Sequence, residues 1–429
     1  MAVDLRQVMA AVLTFSMFIM LGNMIKRDHI DPLLEPLPVS PDVQYHALKV
    51  SKPGMVKLTE TRNGPWMENN DSMNPCWTTP LTKGKVQSNG YIFFSLTHGP
   101  EYHASQLANA VAVAKRLGAK LALPDIRGSK LGEKRRFGEI YDVDNFIRSL
   151  NGVVQVEKNP PAEISNGRLP IVRVPNRVSE DFIASKVEPV FKSRRNLKIV
   201  TYFNPSAVTK GNVDKSSNAY QCLAMFESLR LQTDLQELAD SMVGTLRSMS
   251  QSSRGRFIAV DLRVEMLGKK SCRETDEMSK QCQNAEEIGL FLKKIGFQTD
   301  TTIYLTQTGW HSSLNALRDV FPTLLLRLLT HAIMKLCHQE AIIPADEKAK
   351  FMDSESHEYE KFIDFYMCTV GDVFVPAFRS RFYASIVGKR IADGNIQILL
   401  PAMNTTTSAA DYISPYIAKK SHFAYSCFC

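Results

Sequence analysis

The sequence predicts an α/β protein with two Rossmann-like domains that face each other across a cleft, preceded by a membrane anchor. Three observations support this fold class. The chain has 429 residues, too many for one ordinary hydrophobic core and suitable for two domains. In each half, short β-branched runs alternate with segments whose apolar residues recur at helical spacing. Near the amino terminus, an uncharged apolar run extends from Gln7 to Ile25.

The run from Gln7 to Ile25 is close to the ~20 residues that a helix needs to cross a bilayer. It lacks the small-x-small site of a cleaved signal peptide, so residues 1–27 are interpreted as a cytosolic tip and an uncleaved signal anchor. Residues 28–88 are rich in proline, which indicates a lumenal stem. Asn70 and Asn404 lie in glycosylation sequons, and the eight cysteines are an even number. Both features suit a lumenal body, and eight reduced thiols in a cytosolic domain remain the alternative.

The first Rossmann-like domain is predicted over residues 89–250. A strand over Tyr91–Ser95, a helix that ends at Gly118 and a strand over Lys120–Leu123 form a β-loop-α-β unit. The loop Thr97–His103 is therefore expected on the ligand side of the sheet. Two residues of this loop are candidates for substrate binding: Gly99 and His103. The other predicted elements are three strands and one helix: Val153–Val156, Ile171–Val174, Leu197–Tyr202 and Leu235–Met249.

The second domain is predicted over residues 251–429 and begins with a strand buried on both faces, Phe257–Val260. Asp261, Arg263 and Glu265 follow at alternate positions, where chain leaving a parallel strand opens onto the ligand crevice. A guanidinium suits a diphosphate, and the neighbouring carboxylates could orient the arginine or take a proton from an acceptor hydroxyl. Asp261 and Glu265 are therefore the candidate catalytic bases. An arginine paired only with its own neighbours is the alternative.

Later elements continue the alternation of helices and strands. They are a helix from Ala285 to Ile295, a strand over Thr302–Leu305, a helix from Tyr359 to Tyr366, and strands over Val373–Val375 and Ile396–Leu400. Asp372 enters the strand Val373–Val375, and Ser380 lies between two arginines after it. With Arg390, this cluster of cations and hydroxyls could neutralise a nucleotide diphosphate. A solvated basic loop is the alternative.

Several function classes are disfavoured by composition and motifs. The formal charge of +8 is spread along the chain without a basic block, so nucleic acid is not an expected partner. No zinc, Walker or serine-hydrolase motif is present, and no cofactor is expected. Asp142-Val143-Asp144 has the D-x-D form of a metal site, but its context favours the capped start of a helix, and no metal is assigned. Cys272 and Cys282 enclose a polar stretch that a disulfide could pin.

Together these segments resemble plant proteins of the O-fucosyltransferase-like glycosyltransferase family, in particular its mannan synthesis-related branch. The similarity covers nearly everything from Asn89 to the end of the chain. It is carried by N-G-Y-I-F-F-S, Y-D-V-D-N-F-I, C-L-A-M-F-E-S-L-R, F-I-A-V-D-L-R-V-E-M, T-I-Y-L-T-Q, D-V-F-V-P and S-P-Y-I-A-K-K-S-H-F-A-Y-S-C-F-C.

The resemblance implies a single-pass type II protein of the Golgi membrane with a GT-B-like fold. It implies metal-independent glycosyl transfer with inversion from a GDP-sugar, GDP-mannose or GDP-fucose, to a polysaccharide acceptor in mannan synthesis. The second domain would then bind the GDP-sugar and the first the acceptor. Two alternatives are transfer of fucose to protein, and a non-catalytic accessory role that stabilises a mannan synthase.

The family motifs match this chain in part. Arg263 and Glu265 match H-x-R-x-E, whereas Asp261 replaces the usual histidine. Only Gly99 carries over from the family's G-G-L-N-x-x-R loop. Asp372 matches the acid of S-D-V-F, and Arg390 matches the arginine of G-x-R.

Thr323–Gln339 has no counterpart in the branch and is interpreted as an insertion. Its apolar and basic residues recur at helical spacing, which predicts an added amphipathic helix or a product of altered splicing. A loop insertion of this kind would be removable without loss of folding.

Overall fold

The computed structural model describes residues 65–67, 73–77, 90–97, 99–128, 132–165, 167–203, 219–268, 272, 282–326, 356–402 and 406–428. All of these ranges fall in one compact unit. Within them, no helix combines the length and apolar character needed to cross a bilayer. The predicted anchor, Asn70 and Asn404 lie outside the described residues.

The first half of the chain forms a five-stranded parallel sheet and a small three-stranded sheet. The strands are β1 (Tyr91–Phe93), β2 (Ser95–Leu96), β3 (Lys120–Ala122), β4 (Asp125–Arg127), β5 (Lys134–Arg136), β6 (Val156–Glu157), β7 (Ile171–Pro175) and β8 (Asn196–Tyr202). The large sheet has the order β6-β3-β1-β8-β7 with all neighbours parallel, and the small one has the order β2-β4-β5. The predicted strands of this half are confirmed to within a few residues.

The helices of the first half are α1 (His103–Leu117), α2 (Val143–Ser149), α3 (Ala162–Ser165), α4 (Glu180–Phe182), α5 (Glu188–Arg194), α6 (Ala219–Phe226) and α7 (Thr233–Met249). Gly118 ends α1 in the left-handed region (φ 60°), as a residue without Cβ does readily. The Asp142 carboxylate accepts hydrogen bonds from the backbone N–H groups of Asp144 and Asn145 at the start of α2. The D-x-D motif is therefore a helix cap.

The second half forms a four-stranded parallel sheet from β9 (Ile258–Asp261), β10 (Ile303–Leu305), β11 (Leu324–Leu326) and β12 (Val373–Pro376). Its order, β11-β10-β9-β12, is that of a Rossmann half. The helices are α8 (Val264–Leu267), α9 (Ala285–Lys294), α10 (Asn315–Val320), α11 (Ser356–Val370), α12 (Arg381–Ala392) and α13 (Pro415–Ala418). The predicted strand Ile396–Leu400 is wrong in extent, because parallel pairing to β12 is limited to a single bridge between Ile398 and Phe374.

Both faces of the second sheet are buried, as predicted for its first strand. Val260 and Leu305 belong to an apolar cluster that includes residues of α9 and α10. Ala259 and Tyr304 point the other way, into a cluster that also contains the core of the first half. The apolar core is therefore continuous across the predicted domain boundary at residue 250.

The predicted helix at Thr323–Gln339 is wrong at its start. Leu324–Leu326 form the edge strand β11, paired in parallel with β10, and all three leucines are buried. Residues 327–339 lie outside the described residues. Since β11 supplies side chains to both apolar clusters, the segment contributes core and is not simply a longer connection.

Disulfides close one local loop and join one distant pair of segments. The predicted pair Cys272–Cys282 is confirmed. A second disulfide, Cys222–Cys427, ties the carboxyl-terminal tail to α6 in the first half, and the sequence did not predict it. Trp77 packs against Phe226 and Phe428 beside this link, so the tail is held by apolar contacts as well.

Candidate active site

The candidate site lies at the carboxyl edge of the second sheet. The chain goes from β9 to β10 on one side, while β12 pairs with β9 on the other, so the topology reverses between β9 and β12. In open α/β sheets, ligands bind outside the carboxyl ends of the strands at such a reversal. Arg263 follows β9, and Ser380 and Arg381 follow β12, so two guanidinium groups flank this point.

Arg263 is oriented by a carboxylate beneath it. Its Nε lies 3.3 Å from Oδ1 of Asp261, which is fully buried and also accepts a hydrogen bond from the Thr306 hydroxyl at 3.1 Å. The guanidinium carbon lies 5.4 Å from the centre of the Phe382 ring. The pKa of Arg263 is raised, chiefly by Asp261, and with smaller contributions from Asp364, Glu101 and Glu265. Arg263 therefore stays charged in a site where acidic groups surround it.

Arg381 links the site to the first half of the chain. Its guanidinium lies 4.7 Å from the ring centre of Phe203, the residue directly after β8, and 5.5 Å from that of Tyr102. Its Nε is enclosed and has no hydrogen-bond partner. Among the described residues, no acceptor takes a hydrogen bond from Arg263 or Arg381. Both guanidinium groups therefore keep donors for an anionic ligand.

Glu101 reaches the same site from the first half. It lies in the 3-10 turn Pro100–Tyr102 between β2 and α1, and its carboxylate folds back over Gly99. A Cβ on Gly99 would lie 2.7 Å from each carboxylate oxygen, so a side chain at this position would displace the Glu101 carboxylate. Enclosure raises the pKa of Glu101, while Arg263 and Lys361 act in the opposite direction. Sequence reasoning did not predict Glu101 as a site residue. Its position after a strand, in the same loop as Gly99, could have indicated one.

The family of the chain follows from comparison with known proteins. Residues 91–392 match the family described as GDP-fucose protein O-fucosyltransferase. The chain belongs to this family. The resemblance stated from sequence motifs is thereby confirmed, and it extends to the mannan synthesis-related proteins.

Two relatives align over the full length of both chains. Protein MANNAN SYNTHESIS-RELATED 1 of Arabidopsis thaliana is 51% identical over 434 positions. Protein MANNAN SYNTHESIS-RELATED of Trigonella foenum-graecum is 44% identical over 432 positions. Among solved structures, POFUT1 in complex with GDP-fucose aligns with a TM-score of 0.42 and 13% identity, covering 73% of this chain and 99% of that chain.

Two of the family-derived candidates do not lie at this site. Asp372 is level with Phe257 at the amino end of the sheet, and one of its carboxylate oxygens accepts a hydrogen bond from the Phe257 N–H at 3.0 Å. At ~3.3 Å per strand residue, this places it roughly 13 Å from the level of Asp261. The predicted role of Asp372 in the nucleotide pocket is therefore wrong.

Arg390 has a structural role in the fold instead. It is fully buried, and its two terminal nitrogens donate to five backbone carbonyls, two of them in the last turn of α11. The remaining three belong to Gly371, Asp372 and Gln397. Its Nε is enclosed, and burial lowers its pKa to about 10. The prediction that Arg390 neutralises a diphosphate is wrong because its donors are committed to the backbone.

His103 supports the loop and does not face a ligand. It is fully buried at the first residue of α1, with Nε2 against the Thr97 carbonyl at 2.5 Å and Nδ1 2.7 Å from the Tyr141 hydroxyl. Nε2 donates to the carbonyl, which can only accept, and the Tyr141 hydroxyl engages the second ring nitrogen, so both nitrogens are used within the fold. The predicted substrate contact of His103 is therefore replaced by a positioning role.

The remaining candidates, Ser380, Glu265 and Asp261, lie at or beside the site. Ser380 caps α12, its hydroxyl accepting from the Tyr383 N–H at 3.2 Å. Glu265 is exposed in the first turn of α8. Asp261 is enclosed on all sides, so an acceptor hydroxyl cannot reach it. Within the described residues, no group of three or more His, Cys, Asp or Glu side chains is placed to hold a metal ion.

Proposed function

We propose that this protein is a glycosyltransferase of mannan synthesis that uses a GDP-sugar, either GDP-mannose or GDP-fucose. Family membership and the names of the full-length relatives support glycosyl transfer in this process. The structural observation that carries the proposal is the pair Arg263 and Arg381 at the sheet reversal, each with uncommitted donors. The protein would be a single-pass type II protein of the Golgi membrane, with its body in the lumen.

The reaction is transfer with inversion. An acceptor hydroxyl oxygen bonds to the anomeric carbon from one face, while the bond from that carbon to the phosphate oxygen breaks on the other. Negative charge then develops on the departing GDP. Arg263 and Arg381 would neutralise it, each charge-assisted hydrogen bond being worth about 1.5–3 kcal/mol.

The surroundings of the two arginines prepare them for this role before any ligand arrives. Asp261 and Phe382 hold the Arg263 guanidinium, and Tyr102 and Phe203 hold that of Arg381. Ordering a flexible side chain on binding costs about 0.5–1.5 kcal/mol. Because these guanidinium groups are already confined, most of their interaction energy is available to the diphosphate. Asp261 thereby acts through Arg263 and not as a base.

The test is GDP release by the detergent-solubilised full chain, expressed in a host with a secretory pathway. GDP-mannose and GDP-fucose are each supplied with an oligomannan acceptor, with a peptide acceptor, or with none. Acceptor-dependent release with the oligomannan supports the proposal, and release only with peptide favours protein O-fucosylation. Absence of binding and turnover with both GDP-sugars, combined with higher mannan synthase activity on co-expression, would overturn it in favour of an accessory role. Arg136→Ala is the matched control, because that side chain is 88% exposed and lies on β5 of the small sheet, outside the four-stranded sheet whose reversal Arg263 and Arg381 flank.

A further inference from the structure

Glu101 is a carboxylate at the candidate site that none of the roles above uses. We propose that Glu101 is the general base that takes the proton from the acceptor hydroxyl. The inference rests on the proposed glycosyl transfer and names a residue for a step which that proposal leaves open.

The position of Glu101 suits an acceptor that comes from the first half. Its turn, Pro100–Tyr102, follows β1 and β2, and β1 is flanked in its sheet by β3 and β8, where that sheet reverses. The turn contacts α11 and α12 of the second half. The turn is therefore held where elements of both halves meet, and its Tyr102 ring lies 5.5 Å from the guanidinium of Arg381.

The electrostatic surroundings leave the carboxylate available. The charged groups that act on it are Asp261 at the end of β9, Arg263 after β9 and Lys361 on α11. Asp364 on α11 acts on Arg263, and Arg381 at the start of α12 lies against the neighbouring Tyr102 ring. His103 and Tyr141 lie beneath the turn. Among the described residues, no cation lies within 4 Å of the Glu101 carboxylate. Glu101 is thus near cations without being tied to one in an ion pair.

The direction of its pKa suits a base that gains a proton during the reaction. Enclosure raises the pKa above the usual glutamate value and outweighs the lowering by Arg263 and Lys361. A stronger base accepts a proton more readily in the transition state, and general base catalysis typically contributes 10²–10⁴-fold.

Contacts from below hold the backbone of the turn that carries Glu101. The Thr97 N–H donates to Oε1 of Gln106 at 3.1 Å, and the Thr97 carbonyl accepts a hydrogen bond from Nε2 of His103. The Tyr102 N–H closes the turn on the Gly99 carbonyl at 3.2 Å. Gly99 itself leaves the space that the carboxylate fills. A rigid support of this kind is what a positioned base requires.

The step balances without a further reactant. The acceptor oxygen forms its bond to the anomeric carbon as the bond from that carbon to the phosphate oxygen breaks. The bonding pair leaves with GDP, and the acceptor proton goes to Glu101. Neutral Glu101 later releases the proton to water.

The experiment compares Glu101→Gln, Glu101→Asp and the control Glu286→Gln, an exposed glutamate on α9, in the solubilised full chain. The expected result for Glu101→Gln is a fall in kcat of at least about 100-fold. The Kd for GDP-sugar should stay within about threefold, because Arg263 and Arg381 are intact. The wild-type rate should rise with pH along a limb set by Glu101, and that limb should vanish in Glu101→Gln.

The aspartate variant keeps the proposal testable if the glutamine variant does not fold. Its carboxylate is shorter by one methylene, so it should keep the pH limb at a lower kcat. A kcat within about threefold of wild type for Glu101→Gln, or an unchanged pH limb in a slow variant, would overturn the inference while leaving the proposed function in place. Absence of transfer by the wild-type chain would overturn both.

Discussion

Replacing Arg263 with alanine should weaken GDP-sugar binding at least tenfold. The side chain is 30% exposed, faces the sheet reversal and makes no hydrogen bond to a described residue, so its donors are free for phosphate oxygens. A charge-assisted hydrogen bond is worth about 1.5–3 kcal/mol, which corresponds to roughly 10- to 150-fold in Kd.

The same substitution also affects stability, because it removes the cation beside a fully buried carboxylate. Asp261 would retain only the Thr306 hydroxyl among its described partners, and breaking a buried pair in this way can cost about 3–5 kcal/mol. The double variant Arg263→Ala/Asp261→Asn removes the unpaired charge and should recover most of the stability without recovering affinity. Arg263→Lys keeps a cation near Asp261 but loses the planar fork, so its affinity should be intermediate.

Isothermal titration with GDP-sugar and thermal melts of the solubilised full chain separate these effects. Arg136→Ala should match the wild type in both. A folded Arg263→Ala variant, or the folded double variant, with wild-type Kd would refute the assignment of Arg263 to the diphosphate.

Four further predictions follow from the fold. Arg390→Ala should lower the free energy of unfolding by at least about 3 kcal/mol, because five backbone carbonyls lose their donor; a melt close to wild type combined with weaker GDP-sugar binding would instead restore the role predicted from sequence. Deleting residues 323–339 should abolish the cooperative melt because β11 is lost, whereas deleting only 327–339 spares β11; equal melts for the two deletions would contradict the structural role of that strand. Deleting residues 1–27 should release the protein from carbonate-washed membranes, and continued association would disprove the predicted anchor. Burial lowers the pKa of His422 to about 4 from its usual value near 6.5, so between these pH values the unfolded state binds a proton that the folded state does not. The free energy of unfolding should be at its full value above about pH 6.5 and fall by up to about 3 kcal/mol towards pH 4, and the same pH dependence in a His422→Gln variant would rule this out.

Local patterns sufficed for most of the secondary structure. The alternation of apolar residues placed α1, α7 and α9 and the strands β8, β9 and β12 within a few residues, because each buries a face whose period is visible in the sequence. The prediction of a helix over Thr323–Gln339 was wrong at Leu324–Leu326, because no apolar period is visible there. Three consecutive leucines fit a buried helix or a buried strand equally well, and parallel pairing with β10 makes this segment a strand.

The sequence by itself determined the α/β class, the family, the position of Arg263 after a buried strand and the capping role of Asp142. Each depends on neighbours within a few residues or on motifs read along the chain. Only the tertiary structure decided which cations serve the site. Arg381 and Arg390 are both arginines of α12, and nothing in their local sequence separates their roles. Arg390 is enclosed by carbonyls at the end of α11. Arg381 lies against aromatic rings of the first half, and its Nε has no hydrogen-bond partner. Glu101 likewise lies at the site only because of packing between segments 162 residues apart in sequence, a separation over which no local pattern carries information.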